Sequence, residues 1–285
     1  MTTGFRNVRE LVDAEIEGAA KFTTWRKQPT QTTASGFWFD LSMSPGNPNP
    51  QYYAASPGVS VAMSQSSDGG IFHGGNVSPA RKYLRRMMAM TVTATVVPMP
   101  MILLDYLLYY PFIDESSTDE QLLTNSVALP RYATGAGVQM MAVAVAAQTG
   151  GQTFQVSYTN SNGVAGRTSQ TVTMNAQVVN GTIVTSARTN SGGPFIGLQT
   201  GDSGVRSVES VTMNGIDVGL FTLVLVKPIA QMSIRGIDAP VEVDYLVDFS
   251  QLPQIVDDAY LNFIVHPGGT LANAPIHGYA EFAWK

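Results

Sequence analysis

The sequence predicts a mainly β, α+β chain: an antiparallel sandwich or jelly-roll-like body with an N-terminal amphipathic helix and one or two short helices. Three observations predict it. Charged residues are 13% of the 285 positions, about half the share of an ordinary soluble domain. Such a surface is solvated by Thr, Ser, Asn, Gln and Gly, as β-rich proteins often are. Alternating runs such as FQVSYT recur between Asn-Gly turns, the signature of antiparallel hairpins. Helical periodicity is strong only near the N-terminus.

Residues 5–22 place Phe5, Val8, Leu11, Val12, Ile16 and Ala19 at helical spacing, with Arg6, Arg9, Glu10, Asp13 and Glu17 between them. This predicts an amphipathic helix ended by Gly or by Thr23-Thr24. It reads either as a docking arm laid on a neighbour or as a helix packed on its own sheet. The segment GFWFDLSM at 36–43 reads as a strand. SPGNPNPQ at 44–51 is too rich in proline for helix or central strand and reads as a stiff extended loop.

Ser78-Pro79 predicts the start of a short helix over 79–89, Ser as N-cap and Pro at the first helical position. Arg81, Lys82, Arg85 and Arg86 put four of the sixteen basic residues within six positions there. Residues 87–113 are almost wholly apolar, with Asp105 their one charge. Pro98, Pro100 and Pro111 cut the run into short pieces, so it is expected as buried core and the protein as soluble. The charged N-terminus lacks the apolar stretch of a signal peptide.

An acidic cluster follows at Asp114, Glu115, Asp119 and Glu120, with a short helix expected near 117–123. From Tyr132 to Gly201 seventy residues carry two charges, Arg167 and Arg188. Further strands are expected in VTMNGIDVGLFTLVLVKP, VEVDYLVDF, AYLNFIV and GYAEFAWK, with a helix or turn near Leu252-Pro253 and Asp257-Asp258. The organisation expected is an N-terminal helical arm, 1–35, and a β-rich body, 36–285, with a charge-poor subdomain at about 145–240.

The absence of Cys excludes disulfides, thiolate metal sites and a Cys nucleophile. A net charge of −5 supplies no basic field for nucleic acid. Gly201-Asp202-Ser203-Gly204 matches the tetrapeptide around the nucleophile of trypsin-like proteases, which needs an upstream His and Asp. His73 is the one upstream His, and Val205-Arg206 departs from that family's continuation. The loop is expected to be a turn. His73, His266 and His277 lack metal-ligand spacing; a hairpin could bring His266 and His277 together near Asp257 or Asp258, but exposed loop histidines are the expectation. Gly135-Ala-Gly137 lacks the third glycine of a dinucleotide site. No catalytic residue, cofactor or metal is expected. Trp38, Tyr52 and Tyr53 are the clustered aromatics from which a sugar platform could be built; the alternative is core or interface.

Four segments taken together, GFWFDLSMSPGNPNPQYYAASPG, GGIFHGGNVSPARKYLRRMMAM, PMPMILLDYLLYYPFIDESSTDEQLL and LPRYATGAGVQMMAVAVAAQTGG, resemble tailed-bacteriophage virion structural proteins. SVESVTMNGIDVGLFTLVLVKPIAQMSIRGIDAPVEVDYL fits the same family, and the resemblance covers roughly 36–265. It rests on overall phrasing rather than on a diagnostic motif. It implies a non-enzymatic capsid cement or decoration protein on the outside of the shell, assembled in the host cytoplasm. The implied partners are the major capsid protein and copies of the chain itself, with neither nucleic acid nor membrane. A major capsid protein would need a long spine helix, which the sequence lacks. That lack counts against it, and the alternatives are the major capsid protein, a tail-tube protein or a carbohydrate-binding tail protein. The partner-binding residues expected are Phe5, Leu11, Val12, Ile16 and Trp25, with Arg81, Lys82, Arg85 and Arg86 setting register.

Overall fold

A computed structural model describes residues 4–33, 35–67, 69–176, 178–184, 193–249 and 251–285. In chain order its principal elements are α1 (Val8–Ile16), β1 (Ala20–Lys27), β2 (Lys82–Thr91), β3 (Met99–Asp114) and β4 (Gln139–Ala146). They continue with β5 (Thr153–Asn160), β6 (Val205–Met213), β7 (Leu220–Ile234), β8 (Val241–Asp244), α2 (Tyr245–Asp248), β9 (Leu261–Val265) and β10 (Ile276–Trp284). Strand accounts for 41% and helix for 7%, the mainly β class that the alternation predicts. Arg188, one of the two charges of the 132–201 stretch, lies outside the described residues.

Three antiparallel sheets form. The first runs β8-β2-β10-β1 and ends on the short strand Gly46–Asn47; the second runs from Phe39–Asp40 through β9-β3-β7-β4; the third is built on β5 and β6. The long β3–β7 pair joins two cores. Met101 and Leu103 of β3 pack with Trp25, Leu84, Phe263 and Phe282. Farther along, Leu107 and Tyr110 pack with Phe154, Val156, Val208 and Phe221. The opposite face of the same sheet buries Leu104, Tyr106 and Val224 beneath Tyr53 and Met63. Burial on both faces explains the apolar stretch of β3, which runs as one strand through Pro100 and Pro111 rather than in the short pieces that the prolines predict. No helix among the described residues is long and apolar enough to cross a membrane.

Buried charges fix the loops. The Lys27 side chain, 1% exposed, donates to the carbonyls of Ser44 (3.0 Å), Pro48 (2.8 Å) and Asn49 (3.3 Å). This pins the proline-rich loop, whose backbone has few partners of its own, to the end of β1. Asp40 accepts from the hydroxyls of Tyr53 (2.6 Å) and Tyr106 (2.7 Å) and from Ser42 N (2.9 Å). Asp105 takes a two-pronged pair from Arg131 at 2.7 and 2.9 Å.

Four expectations about local structure are corrected. The first helix spans only Val8–Ile16; Gly18 at φ +80° closes it, a conformation glycine adopts without strain, and residues 20–27 become a strand. Residues 82–91 are strand and not helix. The pairing of β2 with β10 shifts register between Glu281 and Phe282, opposite Arg86 and Leu84. Arg85 is therefore the extra residue of a bulge, and the break in alternation that it causes imitates a helical pattern. Residues 117–123 form a bend at Asp119 and the short strand Gln121–Leu122. VEVDYLVDF, expected as strand, is strand only over Val241–Asp244 and continues as α2; Asp257-Asp258 form the expected turn, and 254–255 pairs with β2 as strand.

Candidate interaction surface

The N-terminal helix is capped at both ends. Asn7 Oδ1 accepts from the Glu10 amide at 3.0 Å, and the Glu10 carboxylate reaches back to Arg6 N (2.9 Å) and Arg6 Nε (2.8 Å). Arg6 thereby holds the Glu10 carboxyl below its ordinary value. Leu11 and Ala14 face inward and are buried, while Val8, Val12 and Ile16 are 59%, 47% and 79% exposed. Spacing of four places these three on one outward stripe. α1 thus has two apolar faces: one packs on its own sheet, and the other is left exposed among the described residues.

The expected partner-binding residues separate. Val12 and Ile16 lie on the exposed stripe. Leu11 is buried, and Phe5 packs on Tyr83 with ring centroids 5.7 Å apart. Trp25, 2% exposed, faces into the first core 4.7 Å from the Phe263 ring and is not presented to a neighbour. Phe5, Asn7, Leu11, Tyr83, Leu246 and Leu252 line a shallow cavity of about 290 Å³ between α1 and the α2 segment.

The basic run is also divided. Arg81 is exposed, whereas Lys82 is buried and donates to Gly75 O (2.8 Å). Arg85 bridges Glu15 of α1 (3.8 Å) and Asp244 of β8. Arg86 lies within 3.9 Å of Glu242, Asp244 and Glu281. These guanidinium groups are answered by carboxylates of the same chain and hold α1, β2, β8 and β10 in register. The acids at 114–120 take other partners: Asp114 accepts from Ser116, and Glu120 from Ser210. The sequence contains Glu242, Asp244 and Glu281 but no local pattern that pairs them with residues 85–86.

Gly201 and Asp202 end a turn closed by Asp202 N on Gln199 O (3.0 Å), and the Asp202 carboxylate accepts from Arg167 (3.0 Å), Tyr158 (2.6 Å) and Asn160 (2.7 Å). Arg167, with Tyr158, holds that carboxyl down to about 2. The Ser203 hydroxyl lies 3.1 Å from that of Ser161. His73 has both ring nitrogens engaged elsewhere, by Ala259 O at 2.9 Å and Lys82 Nζ at 2.9 Å. His266 packs on Trp38 and bonds Gly36 O. Among the described residues no group of three or more His, Cys, Asp or Glu converges. The three clustered aromatics do not make one platform: Tyr53 is buried against Asp40, Tyr52 is 65% exposed, and Trp38 lines a different groove.

That groove, of about 810 Å³, runs along the part of β7 beyond Val226, where β4 no longer pairs. Trp38, Phe249, Gln231, Arg235, Glu242 and Asp248 are among its walls.

No protein-family model matches the chain, and no curated protein does. Among solved structures, a mutant VP2 protein of infectious bursal disease virus in derived T=1 particles aligns over 93% of this chain and 77% of its own, at 8% identity and a TM-score of 0.18. The structure of the Gt strain of the same virus aligns over 93% and 80%, at 8% identity and a TM-score of 0.17. Superposition at that level carries no argument about fold or function.

Proposed function

We propose that this chain is a non-enzymatic structural protein of a tailed-bacteriophage particle, seated on the outside of the capsid and stabilising it by bridging neighbouring subunits of the major capsid protein. The observation that carries the reading is the outward stripe Val8–Val12–Ile16 on a helix whose other face packs on its own body and whose Glu15 is paired with Arg85. Covering each of these side chains contributes on the order of 1 kcal/mol. Symmetry multiplies such weak contacts into avidity, with copies of the chain side by side. A protein partner is favoured over nucleic acid because Arg85 and Arg86 are neutralised internally. The sequence resemblance over 36–265 supports the major capsid protein as that partner. The test is sedimentation of the purified chain with particles lacking it: wild type co-sediments at saturable stoichiometry, and Ile16→Glu stays in the supernatant. Equal binding by both overturns the reading.

A second reading, carbohydrate binding by a tail protein, is favoured by the groove walled by Trp38 and Phe249 with Glu242 and Asp248. Binding of a host surface glycan that Trp38→Ala abolishes would support it.

A further inference from the structure

Glu115 and Asp217 are 0% and 6% exposed, and no Lys, Arg or His among the described residues pairs with either. Glu115 stands one residue beyond β3, and Asp217 lies in the β6–β7 turn. Their backbones are tied, Asp217 N donating to Glu115 O at 2.8 Å and Glu115 N to Gly219 O at 3.3 Å. Gln148, two residues beyond β4 and 2% exposed, donates its amide to Glu115 Oε1. Asp217 Oδ1 accepts from Gly150 N (2.8 Å), Val218 N (2.6 Å) and Thr149 Oγ1 (3.2 Å).

One oxygen of each side chain is then left over. Glu115 Oε2, Gln148 Oε1 and Asp217 Oδ2 are buried and receive no donor. Glycines border them: a Cβ on Gly219 would stand 3.1 Å from Glu115 Oε2, and one on Gly150 would stand 2.5 Å from Asp217 Oδ2. Two buried carboxylates without a counter-charge are costly, and such groups are neutralised by a cation or by a proton.

We infer that Glu115, Gln148 and Asp217 form a binding site for a hard divalent cation, calcium in particular, which ties the end of β3 to the turns that follow β4 and β6. Two carboxylate oxygens and one amide oxygen are the ligand types calcium takes, and two negative charges balance it. Magnesium, which demands near-octahedral geometry and gives up its waters reluctantly, is the weaker competitor. The rival occupant is a proton. Burial, with Asp217 and Asp114 nearby, raises the Glu115 carboxyl above its ordinary value, which favours that proton.

The test uses the purified chain and no particle, so its outcome is separable from that of the capsid reading. Thermal unfolding is followed in EDTA, in a calcium chloride titration and in magnesium chloride, with equilibrium dialysis for stoichiometry. The expected result is one calcium per chain and a midpoint that climbs with calcium concentration, with a smaller response to magnesium. Glu115→Gln and Asp217→Asn, both near in size to the originals, lose the calcium response. Gln148→Met, which keeps both carboxylates, weakens it. Glu115→Gln unfolds in EDTA no lower than wild type, because the buried charge is gone. The inference is overturned if dialysis finds no bound calcium, if the wild-type midpoint ignores calcium and instead falls between pH 5 and 8, or if the response survives in Glu115→Gln and Asp217→Asn.

Discussion

The ammonium of Lys82 lies 2.9 Å from Nδ1 of His73, and the two side chains are 1% and 0% exposed. The imidazole is the acceptor, so its other nitrogen carries the proton and donates to Ala259 O. Burial, reinforced by Lys82, pushes the imidazole down to about 4. Burial also pushes Lys82 down to about 8.

A pH dependence follows from His73. Between pH 6.5 and 4 the unfolded chain takes up a proton that the folded imidazole refuses, so the contribution of this site is fully present above 6.5 and lost as pH falls. The stability advantage of wild type over His73→Gln in urea unfolding should shrink across that window, by up to about 3 kcal/mol. An advantage that stays constant from pH 7 to 4 contradicts the pairing.

Placing one charge on the outward stripe separates attachment from folding. Val12→Glu and Ile16→Glu are exposed-site changes, expected to leave stability within about 0.5 kcal/mol while abolishing co-sedimentation. Truncation is informative only if it spares β1. Removing residues 1–25 takes away most of a strand that pairs with β10 along its whole length, and should yield insoluble chain. Removal through Gly18 should leave a folded body that no longer binds particles.

Arg131→Met should be among the most damaging single changes. It leaves Asp105, 0% exposed, without its cation, at a cost of about 3–5 kcal/mol. Burial outweighs Arg131 and raises the Asp105 carboxyl to about 6, so the variant recovers part of its loss at pH 5, where the carboxyl is protonated. Chemical denaturation at pH 5 and 8 measures both effects.

The Ser203 hydroxyl should be inert. Ser203→Ala is expected to change neither stability nor particle binding, and a fluorophosphonate probe should leave Ser203 unlabelled. A covalent adduct at that residue would reopen an enzymatic role. Asp202→Ala, in contrast, removes an acceptor shared by Arg167, Tyr158 and Asn160 and should lower the unfolding midpoint.

The β class was legible because β5 alternates cleanly, with Phe154, Val156, Tyr158 and Asn160 all inward. The stripe on α1 was legible because helical spacing survives in a helix of nine residues. The strand at 82–91 was hidden by its bulge: Arg85 and Arg86 stand side by side where alternation requires one to be buried. Trp25 misled for a different reason. A tryptophan after a polar run resembles an interface anchor, yet in β1 it shares its inward face with Lys27, whose ammonium is satisfied by loop carbonyls. The cation cluster joins residues 115, 148 and 217, and no local spacing announces a set so far apart in sequence.

The pairing of Ala20–Lys27 with Ile276–Trp284 sets the order of events during synthesis. β1 lies between β10 and Gly46–Asn47, so its main partner leaves the ribosome some 250 residues later. Until then the β1 edge and Trp25 have no β10 to cover them. At roughly 5–20 residues per second that interval lasts on the order of tens of seconds. The first sheet is therefore closed late, with a large loop-closure term in its folding barrier. The second core, built from residues 107–225, is free to assemble while the chain is still growing.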